Sequence, residues 1–86
     1  MKLKNGFVLR EIAGECVVVA VDSSLNLDGM ITLNDTAKTM WLLLENGTDV
    51  QELVTALTDE YDVTAELAAE AVAIFTKKLE ELDFLA

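Results

Sequence analysis

At Leu33-Asn34 a short strand-like run passes directly into a capped amphipathic helix, and this junction divides the chain into a β half and an α half. Asparagine accepts hydrogen bonds from the free N–H groups of a helix's first turn, and Asp35 favours the positive end of the helix dipole. Ala37, Met40, Trp41 and Leu44 follow at i, i+3, i+4 and i+7, one stripe of a helix. Asn46-Gly47 ends it, because either residue readily takes the left-handed conformation of a helix C-terminus.

Before the junction the pattern is that of strands. Phe7–Ile12 alternates, and Ala13-Gly14 makes a short hairpin turn. Cys16–Val21 is an uninterrupted, largely β-branched run, the mark of a central strand buried on at least one face. Residues 22–28 are polar and turn-like apart from Leu25 and Leu27, and Gly29–Leu33 forms a third, shorter strand.

After the first helix, Thr48-Asp-Val-Gln51 reads as a capping box. It opens a second helix with Val50, Leu53, Val54, Leu57 and Tyr61 on one stripe. Asp62-Val63 is a tight connection, and Thr64 caps a third helix with Glu66 near its positive end. That helix turns Leu67, Ala68, Ala71, Val72, Phe75, Leu79 and Leu82 to its apolar side, and Phe84-Leu85 follow as a short tail. The order β-β-β-α-α-α predicts one α+β domain over residues 1–86. A three-stranded antiparallel sheet is covered by three helices, winged-helix-like with its sheet placed first.

The composition narrows the chemistry. Hydrophobic residues make up 52% of the 86, enough for a packed core. Histidine is absent and Cys16 is the single cysteine, which removes Ser-His-Asp and Cys-His nucleophilic machinery, thiolate clusters and the commonest zinc ligand. No enzymatic activity, cofactor or metal is expected. One cysteine with no secretory signal and no membrane-length apolar run points to the cytoplasm.

Net charge is −10, and residues 45–86 carry −9 of it. An acidic surface repels phosphate backbones and attracts basic partners. The winged-helix outline invites a DNA-binding reading, but the second helix offers no basic residue and the third offers only Lys77 and Lys78 against four glutamates. A recognition helix needs the reverse. The carboxylates fall at helical spacing on predicted solvent faces, with no calcium-binding loop. Trp41 reads as core, Tyr61 as packed body-in with its hydroxyl out, and Cys16 as a small inert hydrophobe.

The third strand stands out, because Met30, Ile31, Thr32 and Leu33 carry neither the charge nor the proline that usually protects a sheet edge. Either a helix or the tail covers it, or a guest peptide pairs with it and drops alternate side chains into a pocket.

Leu33-Asn34-x-Thr36-Ala37-x-x-x-Trp41-x-x-Leu44, Gly47-Thr48, Leu53, Leu57, Tyr61-x-Val63, Val72-x-x-Phe75-x-x-x-Leu79 and Phe84-Leu85 together resemble the PqqD-like family of peptide-recognition domains. One departure is Asp83, where many relatives carry glycine. The resemblance implies a non-catalytic chaperone that binds the leader of a ribosomally made precursor peptide and presents it to a modifying enzyme, often a radical S-adenosylmethionine enzyme. It implies a guest strand beside Gly29, Met30, Ile31, Thr32 and Leu33. The wall would come from the third helix, with Ala69, Val72, Ala73, Thr76 and Leu79 as candidates. The rival reading is a winged-helix protein–protein adaptor or transcriptional regulator. Monomer and dimer both remain open.

Overall fold

Three strands and three helices follow one another in a computed structural model that describes residues 1–20 and 31–86. The strands are β1 (Phe7–Ile12), β2 (Glu15–Ala20) and β3 (Ile31–Leu33). The helices are α1 (Asp35–Asn46), α2 (Val50–Glu60) and α3 (Ala65–Glu81). The α+β expectation holds, with the sheet first and the helices after it. The end of the second strand at Val21, the polar run 22–28, and Gly29 and Met30 lie outside the described residues.

The sheet is antiparallel in the order β1-β2-β3. Ala13 and Gly14 both have positive φ, 53° and 83°, which makes the hairpin a two-residue turn matched to the twist of the strands. The turn sets the register Ile12 with Glu15 through Phe7 with Ala20. β3 then pairs Leu33 with Cys16, Thr32 with Val17 and Ile31 with Val18.

Phe7, Leu9, Cys16, Val18, Ile31 and Leu33 face the helices, and Val18 is fully buried among them. Trp41, Leu44, Leu53, Val72 and Leu79 meet them with no exposed surface. Trp41 is therefore core, as its place on the α1 stripe predicts. Its Nε1 finds no acceptor among the described residues.

Two of the three helix starts match the sequence. Asn34 Oδ1 accepts from Ala37 N at 2.9 Å, and Thr64 Oγ1 accepts from Leu67 N at 3.2 Å. The α2 cap is a correction: Asp49, not Thr48, accepts from Glu52 N at 2.8 Å. Thr48 is buried instead, and its N–H donates to the Met1 carbonyl at 2.8 Å. An anionic cap and Glu52 three residues on supply the same logic one position later.

Asp83 has φ 64°, the left-handed conformation that glycine usually supplies at a helix end. Phe84 N donates to Leu79 O at 2.8 Å and Asp83 N to Glu80 O at 3.1 Å, which closes α3 and turns the chain inward. The apolar tail is thus part of the core. Phe84 stacks on Phe7 at 4.1 Å and meets Trp41 edge-on at 6.2 Å. Beside it the two ends of the chain pair, Lys4 N to Phe84 O at 2.9 Å and Ala86 N to Lys2 O at 2.8 Å.

Candidate functional site: a strand edge over a groove

The strand order leaves β1 and β3 as the two edges of the sheet. They are not equivalent. β1 carries Arg10 and Glu11, both exposed, whereas β3 carries no charge. Charge on an edge strand discourages a second chain from pairing with it.

The hairpin determines which backbone groups β3 leaves open. A two-residue loop is closed by a pair that exchanges both hydrogen bonds, here Ile12 and Glu15. Such pairs alternate with open ones, so Glu15, Val17 and Val19 address β1, while Cys16 and Val18 address β3. Ile31 and Leu33, their partners, are consequently bonded inward. Thr32, opposite Val17, turns its N–H and C=O away from the sheet.

Alongside this edge runs a groove of about 600 Å³. Its floor and near side are Cys16, Ile31, Thr32 and Leu33; Gly14 and Glu15 of the hairpin close one end. Asn34, Asp35 and Ala37 of the first turn of α1 contribute to the lining, and Phe75 and Lys78 of α3 form the wall. Ile31 and Cys16 are half-buried, so apolar surface lies beside open backbone groups. Charges stand round it: Glu15, Asp35 and Lys78 are all exposed.

The start of α1 is held in place by α2. The Tyr61 hydroxyl donates to the Asp35 carbonyl at 3.0 Å and lies 2.9 Å from Thr39 Oγ1. Tyr61 is half-buried with its hydroxyl bonded to protein, where the sequence places it pointing outward.

Of the residues nominated from sequence, Ile31, Thr32 and Leu33 line the groove. Val72 and Leu79 are fully buried in the core. Ala69 and Ala73 are exposed and Thr76 is half-buried, and none of the three lines the groove. A helix turns ~100° per residue, which puts these three on one flank of the buried stripe and Lys78 on the other. Thr76 is bonded within its own helix, Oγ1 to Val72 O at 2.8 Å. Lys78, Phe75, Ala37 and the hairpin residues were not nominated. Lys78 reads as an ordinary surface charge, and nothing in the sequence announces that the hairpin end packs beside Leu33.

Among the described residues no group of three carboxylate, cysteine or histidine side chains is arranged to hold a metal ion. No described helix is long and apolar enough to cross a membrane.

A sheet-first winged-helix-like domain with one uncharged edge beside a groove of mixed polar and apolar lining is the class that fold and site define. Residues 15–85 match the family model described as coenzyme PQQ synthesis protein D, PqqD, and the chain belongs to that family. Two solved structures share the fold. One is TbiB1 in complex with the TbiA(beta) leader peptide, with 25% identity over 99% of this chain and 94% of that one and a TM-score of 0.78. The other is a lasso peptide synthetase B1 complexed with the leader peptide, with 24% identity over 93% and 89% and a TM-score of 0.73, a likeness of fold. No curated protein matches the chain.

Proposed function

We propose that residues 1–86 form one cytoplasmic recognition domain, a non-catalytic peptide chaperone. It binds the leader of a ribosomally made precursor peptide by strand addition at β3 and presents it to a modifying enzyme. A radical S-adenosylmethionine enzyme is the partner class the family resemblance favours. The observation that carries the reading is the outward-facing backbone of Thr32 directly beside the groove between β3 and α3. A guest strand there gains backbone hydrogen bonds, and its alternate side chains meet Ile31, Phe75 and Lys78. Leader peptides in complex with two structurally similar proteins support the same ligand class.

The reading asks no bond chemistry of this chain. A leader held at β3 raises the local concentration of the rest of the precursor near the partner's active site. The test is calorimetric titration with a synthetic leader from a short precursor gene neighbouring this one. Saturable one-to-one binding supports the reading, and no binding at millimolar peptide overturns it.

A further inference from the structure

A second groove, of about 370 Å³, lies between α1 and α2. Leu43 and Ala56, both half-buried, give it an apolar floor. Asp49, Glu52 and Asp59 form an exposed rim, with Gln51 and Thr55 between them. Leu42 and Val50, next to these residues in the chain, are 44% and 52% exposed.

The charge around this groove has one sign. From Thr39 to Thr76 the sequence contains eight carboxylates and no lysine or arginine. Lys38, the one basic residue of α1, stands about 140° round that helix from Leu43. The groove beside β3 has Lys78 in its wall beside Glu15 and Asp35, so its charge is mixed where this one's has a single sign.

An apolar floor inside an acidic rim is complementary to a helix that presents leucine-like side chains flanked by lysine or arginine. We infer that the α1–α2 face docks a basic amphipathic helix of a protein partner. That the partner is the modifying enzyme rests on the proposed function; the chemistry of the surface rests on α1 and α2 alone. Symmetric pairing of this face with the same face of a second copy is disfavoured, because residues 39–76 contain no basic residue to meet the rim. Peptide and partner would then occupy different faces at once, as presentation of a bound leader requires.

The probe is a synthetic amphipathic helix of leucine and lysine, titrated into isotope-labelled full chain and followed by NMR. The expected result is shifts at Leu43, Glu52, Ala56 and Asp59, with affinity falling as salt rises. Thr55→Lys combined with Asp59→Lys should weaken binding at least tenfold, as should Ala56→Gln, which fills the floor without adding charge. Both lysine substitutions fall on exposed positions, so the fold survives them. Thr32→Pro should leave this binding unchanged, which separates failure here from failure of the leader reading. Equal binding by an all-lysine peptide, indifference to Ala56→Gln, or no binding at all would overturn the inference. So would a self-associated chain whose dimer Ala56→Gln dissolves.

Discussion

At the scale of single residues, the backbone decides more than the side chains. Ile31 and Thr32 are neighbours on one edge strand, yet proline should act oppositely at the two positions. Ile31→Pro removes an N–H bonded inward to β2, so the sheet weakens. Thr32→Pro removes the outward N–H, so the fold persists and leader affinity falls about tenfold, the worth of one or two hydrogen bonds. Thermal melts of the two variants side by side check this; an equal loss of Tm in both would refute the assigned alternation. Ala13 holds φ 53° without the help glycine has. Ala13→Asn places a residue suited to that conformation in the turn and should stabilise by about 1 kcal/mol, read as a raised Tm. Trp41 has no exposed surface, and Trp41→Ala should cost about 3–5 kcal/mol in denaturant unfolding.

At the scale of elements, periodicity made the sheet-then-helices order and the centres of the core stripes legible in the sequence. Val50, Leu67 and Leu82, assigned to those stripes, are exposed because they sit at helix ends, beyond the reach of the neighbouring elements. Phe7–Ile12 is the observed β1, and the α1 stripe from Ala37 to Leu44 lies on the buried side. The flank of α3 that faces β3 was not legible. A stripe names the buried face of a helix, but which side of that stripe looks onto a neighbouring strand depends on packing between distant elements. Ala69, Ala73 and Thr76 are as small and apolar a row as a groove could use, yet they sit on the far flank. Lys78, charged and unremarkable in sequence, is on the near one. Val72, nominated for the groove wall, belongs to the buried stripe, and Val72→Glu tests that placement. With Val72 fully buried, the variant should fail to fold and not merely bind less, which circular dichroism would show. Between α1 and α2, Tyr61→Phe removes the hydroxyl bond to the Asp35 carbonyl. It should cost about 1 kcal/mol in chemical unfolding.

At the scale of the whole molecule, the chain brings its ends together and holds the β3–α3 and α1–α2 grooves on different faces. Phe84 closes the core against Phe7 and Trp41, a role hidden in the sequence because two apolar residues after a helix do not say where they turn. The left-handed Asp83 supplies that turn. Leader binding at the β3–α3 groove is read residue by residue by NMR of the isotope-labelled full chain titrated with the synthetic leader. We predict shifts concentrated at Cys16, Ile31–Leu33, Ala37, Phe75 and Lys78, reached only at about tenfold higher peptide in Thr32→Pro, a protein that still melts cooperatively. Shifts confined to Ala69, Ala73 and Thr76 or to the α1–α2 face, with Ile31–Leu33 unmoved, would contradict it.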